Sequence, residues 1–232
     1  MSIQRSLLLI VFLGATLMGL GASGDVESPQ ENQRVYSEEY AITPVPGSLS
    51  DYEGSPVAVF AGGCFWGVES MFERLPGVLD VVSGYTGGTM EFPTYRYVSM
   101  GQTGHVEAVA VFYDPEVTDY ETLARFFFEI HDPTQVGGQG PDIGPQYESA
   151  IFYATPEERQ IAERLMEILE GVGYELATRV EEVGDFYRAE GYHQDYYARN
   201  ETQPYCHAYT RRFPDEPTVQ NELLQQFLES GE

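Results

Sequence analysis

The hydrophobic positions in the central part of the chain follow two spacings, and each spacing predicts a different kind of element. Short runs of apolar and β-branched residues, bounded by glycine or proline, predict strands. Apolar residues that recur three or four positions apart predict amphipathic helices. The predicted strands are 57–61, 78–85, 105–113, 149–153 and 178–183. The predicted helices are 66–75, 118–130 and 155–169, with a short helical segment around 95–97.

The order of these elements predicts the fold class. It begins β-α-β-β-α-β and continues with a further helix and strand, which is the pattern of a ferredoxin-like split βαβ unit. We therefore expect an α+β two-layer sandwich with extra helices and a long C-terminal coil. A doubly wound parallel fold is the alternative. It is disfavoured because no crossover helix is evident between the second and third strands.

Two of the helices begin with capping signals. Thr118-Asp119-Tyr120-Glu121 has the spacing of a capping box, which predicts that Thr118 caps the helix that follows. Thr155-Pro156-Glu157-Glu158 has the same spacing and places proline in the first turn. Both signals support the helix assignments.

The chain is predicted to divide into four segments. Residues 1–24 have the pattern of a signal peptide, with one positive charge before a short apolar run and small residues at its end. Residues 25–55 are predicted to form an acidic flexible linker, 56–214 one folded domain and 215–232 an amphipathic tail. We therefore expect export to the periplasm or the cell exterior, with no stable membrane insertion after cleavage. An uncleaved N-terminal anchor is the alternative, although the apolar run is short for a membrane span.

The charge of the chain is strongly negative. It has 37 acidic and 12 basic residues, a formal net charge of −25, and all its basic residues are arginines. Nucleic acid is excluded as a natural partner because phosphate contacts need the opposite charge. An acidic surface without lysine is what we expect of a protein kept soluble in high salt, where ions screen the repulsion. A saline source is therefore a hypothesis.

Cys64 lies at the junction of a predicted strand and a predicted helix, directly after Gly62 and Gly63. At a helix N-terminus the free backbone N–H groups favour a thiolate, so the pKa of Cys64 is expected below the ordinary value of about 8.5. The glycines permit a sharp turn, and Phe65 and Trp66 supply large rings for an apolar pocket. A buried structural cysteine, or half of a disulfide, is the alternative.

The octapeptide Gly62-Gly63-Cys64-Phe65-Trp66-Gly67-Val68-Glu69 resembles the active-site signature of the peptide methionine sulfoxide reductase A family. The resemblance extends over about residues 57–206, in five segments that follow the order of the family. It implies the same α+β class and a thiol enzyme that reduces oxidised methionine. It also implies selectivity for the S epimer of the sulfoxide.

Glu107 is the second candidate for the chemistry. On a two-residue period it shares a strand face with His105, Val109 and Val111, so burial of that face would raise its pKa and keep the carboxyl protonated. The segment from Gly104 to Val109 also resembles the part of the family that holds the catalytic glutamate. The family more often has alanine where this chain has valine before the glutamate.

The resemblance also implies which residues line the substrate pocket. Asp142 and Tyr147 match pocket residues in a long loop of the family, and Tyr85 matches a further tyrosine of the site. Neutral phenol groups can donate a hydrogen bond to a sulfoxide oxygen. Phe65 and Trp66 are expected to enclose the methyl group of the substrate.

Sulfur chemistry then suggests the sequence of steps. The Cys64 thiolate attacks the sulfoxide sulfur, and Glu107 supplies the proton that lets the oxygen leave. The Cys64 sulfenic acid that results is expected to be resolved by Cys206, the only other cysteine. Many family members have a second distal cysteine in a glycine-rich tail, which this chain lacks, and Gly191 replaces a more usual acidic residue. Direct reduction of the sulfenic acid is therefore the alternative.

Two other classes of function stay open from the residues alone. One is a cysteine hydrolase with Cys64 as nucleophile and His193 or His131 as base, and the other is a secreted binding module with a structural Cys64–Cys206 disulfide. No metal is expected, because the histidines lack metal-ligand spacing and two cysteines do not make a zinc site. No other cofactor is expected, because the sequence has no phosphate loop or dinucleotide fingerprint. The expected partners are methionine sulfoxide, free or in oxidised proteins, and a thioredoxin-like reductant. The protein is expected to be a monomer.

Overall fold

The computed structural model describes residues 41–42, 55–214 and 218–229. The predicted signal peptide at 1–24 lies outside these residues, as does most of the predicted linker. Within the described residues, no helix combines the length and the apolar character that crossing a membrane requires.

The described residues contain nine strands and six α-helices. The strands are β1 (Ala41–Ile42), β2 (Val57–Gly62), β3 (Val78–Thr86), β4 (Val106–Tyr113), β5 (Gly138–Gln139), β6 (Asp142–Ile143), β7 (Ser149–Tyr153), β8 (Arg179–Glu182) and β9 (Phe186–Arg188). The helices are α1 (Phe65–Phe72), α2 (Tyr95–Val98), α3 (Tyr120–Ile130), α4 (Pro156–Gly171), α5 (Tyr196–Asn200) and α6 (Thr218–Glu229).

Seven of the strands form one sheet, in the order β1-β9-β3-β4-β2-β7-β8. Neighbouring strands in this sheet are antiparallel except β7 and β8, which are parallel. The two remaining strands, β5 and β6, form a small hairpin in the long loop after α3. Helices packed on a mostly antiparallel sheet confirm the broad class expected from the sequence. The doubly wound parallel alternative is wrong.

Alternate residues of the central strands contribute to two different cores. Phe60 of β2 and Val109 and Val111 of β4 belong to a large cluster that also contains the apolar faces of α1, α3 and α4. Val59 and Phe112 belong to a smaller cluster on the opposite face of the sheet. Glu107 keeps the two-residue period of Val109, so its carboxyl lies on the face that α1 covers.

The structure corrects one of the two predicted helix caps. Asp119, and not Thr118, caps α3, because its carboxylate accepts a hydrogen bond from the backbone N–H of Thr122 at 2.8 Å. The N–H of Thr118 instead bonds to the carbonyl of Asp114 at 3.0 Å, so Thr118 belongs to the preceding turn. Thr155 caps α4 as predicted and accepts from the N–H of Glu158 at 3.2 Å.

Several smaller elements have no counterpart among the predicted ones. They are the β5–β6 hairpin, the strand β9, the helix α5 and a 3₁₀ turn at Pro145–Tyr147. Each is only two to five residues long, which is too short for a hydrophobic period to show. The first predicted helix is also shorter than expected, since α1 ends at Phe72 and not near residue 75.

Short segments from outside the central fold pack against it at both ends. Ala41 and Ile42 pair with Tyr187 and Phe186, so β1 forms one edge of the sheet. The predicted tail contains α6, where Phe227 contacts the ring of Phe126 at a centroid distance of 4.9 Å. The described part of the tail therefore adds to the core.

Candidate active site

Cys64 is presented by a sharp turn between β2 and α1. The preceding residue, Gly63, has a φ of +98°, a conformation that residues with a Cβ rarely adopt. A Cβ at this position would also lie 2.5 Å from the Cβ of Gln139. The turn therefore requires glycine, and it places Cys64 at the N-cap of α1.

The surroundings of Cys64 favour the thiol over the thiolate. The residue is 6% exposed, and burial raises its pKa well above the ordinary value, with the charge of Glu107 acting in the same direction. A hydrogen bond from the backbone of Trp66 offsets this only in part. The expectation of a depressed pKa is therefore wrong, because loss of solvent outweighs the N-terminus of α1.

Glu107 reaches the same helix turn from the sheet. Its Oε2 accepts a hydrogen bond from the backbone N–H of Phe65 at 3.1 Å, and the residue is 2% exposed. Burial raises the pKa of Glu107 to about 8, while the Phe65 hydrogen bond acts to lower it. At pH 7 the carboxyl is therefore mostly protonated and available as an acid.

Two aromatic side chains next to Cys64 are fixed by their neighbours. The ring of Phe65 is buried and contacts the ring of Tyr85 at 5.8 Å. The Trp66 indole N–H donates to Nδ1 of His193 at 3.0 Å, and its ring stacks on Tyr196 at 3.7 Å. The two rings are thus held as rigid apolar walls beside the thiol.

Tyr85 faces the site from β3, opposite Glu107 in the strand pairing. Its hydroxyl donates a hydrogen bond to Oε2 of Glu190 at 2.9 Å. Since a phenol has one proton, donation to a substrate oxygen would require this bond to be exchanged.

Tyr147 and Asp142 enter the site from the long loop after α3. Tyr147 ends the 3₁₀ turn, and burial together with Glu107 raises its pKa, so the phenol stays protonated. Asp142 begins β6, and its Oδ2 accepts a hydrogen bond from the Tyr205 hydroxyl at 2.8 Å. This bond connects the loop to the C-terminal coil.

Cys206 lies in that coil, where the chain comes back to the turn that carries Cys64. Both cysteines are free thiols. Cys206 is close enough to Cys64 to contribute to the raised pKa of the Cys64 thiol. Burial and Asp142 raise the pKa of Cys206 to about 12. The coil is anchored by His207, whose Nε2 lies 2.7 Å from the carbonyl oxygen of Gly62.

The structure adds residues that the sequence reasoning did not assign to the site. Tyr95 has a raised pKa through burial, Glu107 and Cys64, and a side-chain hydrogen bond links it to Tyr147. Glu190 accepts hydrogen bonds from the Tyr85 hydroxyl and, through Oε1, from the backbone N–H of Tyr95. The Tyr205 hydroxyl donates to Asp142, and His193, which the sequence suggested only as a hydrolase base, accepts from the indole N–H of Trp66. These contacts join positions far apart in the chain, so no local pattern reveals them.

The described residues do not contain a cluster of three or more histidine, cysteine or carboxylate side chains that would hold a metal ion. What the arrangement offers is a buried nucleophilic sulfur, a protonated carboxyl at the same helix turn and neutral phenols around them. Such a set suits attack of sulfur on a polar substrate whose leaving oxygen needs a proton.

Comparisons with known proteins agree with this chemistry. The family model described as peptide methionine sulfoxide reductase matches residues 56–225. A peptide methionine sulfoxide reductase MsrA 1 from Rhodopirellula baltica is 51% identical over 157 residues, which cover 67% of this chain and 81% of that protein.

Two solved structures resemble the fold. Reduced Mxr1 from Saccharomyces cerevisiae has a TM-score of 0.64 and 33% identity, covering 69% of this chain and 95% of that one. Methionine sulfoxide reductase A of Corynebacterium diphtheriae has a TM-score of 0.60 and 34% identity, covering 75% and 90%. The chain therefore belongs to the peptide methionine sulfoxide reductase family.

Proposed function

We propose that this protein reduces methionine-S-sulfoxide, free and within oxidised proteins, through a sulfenic acid on Cys64. The observation that carries the proposal is the pairing of Cys64 with Glu107 at the first turn of α1. Glu107 accepts from the N–H of Phe65, the residue next to Cys64, and holds a proton at pH 7 because its pKa is raised to about 8.

The first step converts the sulfoxide to a thioether. The sulfur of Cys64 attacks the sulfoxide sulfur, and the sulfoxide oxygen takes a proton from Glu107. The proton lost from the Cys64 thiol restores the acid form of Glu107, so no net proton is released. The oxygen passes to Cys64, which becomes a sulfenic acid and is oxidised by two electrons as the substrate is reduced by two. In this step Tyr147, whose phenol stays protonated, donates to the oxygen once its bond to Tyr95 is exchanged, and Tyr85 does so once its bond to Glu190 is exchanged.

The second step regenerates the thiol. The Cys206 sulfur attacks the Cys64 sulfenic acid, forming a disulfide and releasing one water. A thioredoxin-like dithiol then reduces the disulfide by thiol exchange. The position of Cys206 beside the Cys64 turn supports this route over direct reduction of the sulfenic acid.

Selectivity for the S epimer follows, in this proposal, from the fixed walls of the pocket. Phe65 and Trp66 enclose the methyl group, and Asp142 and Tyr147 lie on the loop side. A chiral sulfur then presents its oxygen to the proton donors in one configuration only. The signal-peptide pattern of residues 1–24 supports export, and the family match begins at residue 56, after the predicted linker.

The order of the four central strands also supports the ferredoxin-like description. In the sheet they run β3-β4-β2-β7, with antiparallel neighbours, and α1 and α3 lie in the two crossovers. This is the arrangement that a split βαβ unit requires.

The competing functions have less support. A hydrolase needs a base beside Cys64, whereas Nδ1 of His193 accepts from Trp66 and His131 bonds to the Phe127 carbonyl and the Ser149 hydroxyl. A binding module with a structural disulfide is disfavoured by the two free cysteines.

A single-turnover experiment tests the proposal. Fully reduced protein is mixed with one epimer of a blocked methionine sulfoxide, without external reductant, and both thioether and remaining thiols are counted. We expect one thioether per chain from the S epimer, with both thiols lost. Loss of only one thiol would favour direct reduction, and no thioether from either epimer would exclude the reductase function.

A further inference from the structure

The C-terminal coil carries a histidine at the position where it meets the Cys64 turn. His207 is buried, its Nε2 lies 2.7 Å from the carbonyl oxygen of Gly62, and its Nδ1 lies 3.1 Å from Sγ of Cys206. A Cβ at residue 67 would overlap Nδ1 of this ring, so Gly67 provides the space for it in the first turn of α1. The imidazole is thus enclosed between the coil and the turn that carries Cys64.

These contacts determine which ring nitrogen of His207 holds the proton. A carbonyl oxygen can only accept, so Nε2 donates to Gly62. Burial lowers the pKa of His207 below its ordinary value, so the ring is neutral at pH 7 and Nδ1 carries a lone pair. The Cys206 thiol then donates to Nδ1.

The Cys206 thiol needs such a partner. Thiol attack requires the thiolate, and with a pKa raised to about 12 by burial and Asp142 only about one molecule in 10⁵ would be ionised at pH 7. Glu107 adds to the same effect when it is charged. A base that removes the proton during the attack avoids this low population.

We propose that His207 is the general base of disulfide formation, an inference that rests on the proposed function. As the Cys206 sulfur attacks the Cys64 sulfenic acid, its proton moves to Nδ1 of His207, the S–S bond forms and the S–O bond breaks. The hydroxide that leaves and the proton held by His207 together make one water. The sulfenic sulfur is reduced and the Cys206 sulfur is oxidised, so no further reactant is needed.

The groups around His207 are compatible with this role. Asp142 faces the ring and raises its pKa, against the effect of burial, and so stabilises the imidazolium that forms. His131 also interacts with His207, and burial lowers the pKa of His131 to about 3, so it stays uncharged. The Gly62 carbonyl keeps accepting from Nε2 in both protonation states.

Two variants distinguish the loss of His207 as a base from the loss of its hydrogen bonds to Gly62 and Cys206. His207→Gln keeps a donor for the Gly62 carbonyl but has no nitrogen at the δ position. His207→Asn keeps an acceptor for the Cys206 thiol but is not basic. Each is mixed as reduced protein with one equivalent of the sulfoxide, and thioether, disulfide and sulfenic acid are followed, the last by trapping with a cyclic 1,3-dione.

In both variants we expect thioether to form at the wild-type rate and disulfide to form about 10²–10⁴-fold more slowly at pH 7, with sulfenic acid accumulating. The remaining disulfide rate should rise about tenfold per pH unit, since Cys206 must then ionise without a base. His105→Gln is the matched control, because His105 is also a buried histidine with hydrogen bonds at both ring nitrogens. Its partners are the backbone N–H of Gly88 and the carbonyl of Met90, and not a cysteine. It should keep the wild-type rate.

The wild-type protein provides a test that does not depend on any variant. The rate constant for conversion of the sulfenic acid to the disulfide, separated from that of thioether formation, should be level above about pH 6.5, where a histidine with a lowered pKa is neutral. A rate that climbs steadily toward pH 12, or disulfide formation at the wild-type rate in both variants, would overturn the role of His207. Thioether without any disulfide in the wild type would also overturn it while leaving the reductase function intact, and absence of thioether would exclude both.

Discussion

Cys64 and Glu107 occupy one buried volume, and burial acts on both groups in favour of their protonated forms. The pKa of Glu107 is raised to about 8, and the charge of Glu107 raises the pKa of Cys64 further. Two negative charges in this volume repel each other, so ionisation of one group opposes ionisation of the other. The reaction therefore begins from a neutral pair, and protons move only as sulfur attacks sulfur.

Replacing Glu107 tests this account. Glu107→Gln keeps an acceptor for the Phe65 N–H but removes the acidic proton, so the single-turnover rate of thioether formation should fall about 10²–10⁴-fold. In the wild type the same rate should fall as the pH rises through about 8, because the carboxyl loses its proton there. Rapid-quench measurements from pH 6 to 10 give both results.

Glu163→Gln is the control for that series, since Glu163 is an exposed residue of α4 that pairs with Arg159. It should leave the rate unchanged. A Glu107→Gln protein with a normal melting temperature and a wild-type rate would contradict the assignment of Glu107 as the acid.

Single residues also mark the limit of reading the site from sequence. The motif around Cys64 and the strand period around Glu107 are local, and they identify both residues as candidates. The direction of the Cys64 pKa depends on burial by distant segments, and a local pattern contains no information on it. The same holds for Glu190, which bonds to Tyr85 from 105 positions away.

At the scale of elements, α1 has a buried carboxyl of its own, Glu69, which the proposed reaction does not use. Glu69 is 1% exposed, and Oε1 accepts a hydrogen bond from the Ser83 hydroxyl at 3.0 Å, which joins α1 to β3. Burial and the charge of Glu73 raise the pKa of Glu69 to about 8. The native protein therefore holds a proton that the unfolded chain releases at about pH 4.3.

This difference predicts how stability depends on pH. Between about pH 4.3 and 8 the native state binds more protons than the unfolded state, so the contribution of Glu69 to the free energy of unfolding decreases as the pH rises. The loss should be on the order of a few kcal/mol by pH 8. Melting temperatures of the wild type and Glu69→Gln, compared from pH 5 to 9, isolate this residue from the others.

The variant should become progressively more stable relative to the wild type as the pH rises. Glutamine keeps an acceptor for the Ser83 hydroxyl and cannot ionise, which makes the substitution conservative in shape. A melting-temperature difference that stays constant over this pH range would exclude a neutral Glu69 in the native state.

The C-terminal helix α6 makes a separate prediction. Phe227 is 2% exposed, packs against Phe126 and lies under the guanidinium of Arg74 at 4.5 Å, whereas Leu228 is 47% exposed. Phe227→Ala should therefore lower the free energy of unfolding by about 3–5 kcal/mol. Leu228→Ala, on the same helix, should change it by no more than about 0.5 kcal/mol.

Urea unfolding of both proteins measures the two effects. Equal, small losses would mean that α6 does not dock on the core in solution. A large loss for Phe227→Ala alone would make residues 218–229 part of the folded domain, beyond the boundary at 214 that the sequence predicts.

Elements differ in how far the sequence reveals them. Long elements such as β4 and α4 bury enough apolar positions for their period to be visible, and both lie where the pattern predicts them. The strand β9 has three residues and exists because Phe186 and Tyr187 pair with β1, and Tyr187 and Arg188 with β3. Its conformation is set by neighbours in the sheet, which no window of sequence contains.

At the scale of the whole molecule, the dominant feature is the net charge of −25. Like charges on one surface repel each other, and folding brings them closer together than in the unfolded chain. Salt weakens this repulsion because the Debye length falls from about 30 Å at 0.01 M to about 3 Å at 1 M ionic strength. Twelve basic residues can neutralise only part of 37 acidic charges. Among the described residues, Arg159 pairs with Glu163 and Arg164 with Glu121.

We therefore predict that the melting temperature rises between 10 mM and 2 M potassium chloride. Salt screens the repulsion between like charges, and this repulsion is stronger in the folded protein than in the unfolded chain. The combined variant Glu167→Gln, Glu170→Gln and Glu175→Gln removes three charges from exposed positions. It should melt at a higher temperature than the wild type at 10 mM salt and gain less from added salt. Chloride is the suitable anion, since sulfate stabilises proteins by exclusion from their surface whatever their charge. A melting temperature that is independent of chloride, with or without the three substitutions, would contradict a salt-adapted surface and leave the acidic composition without a role in stability.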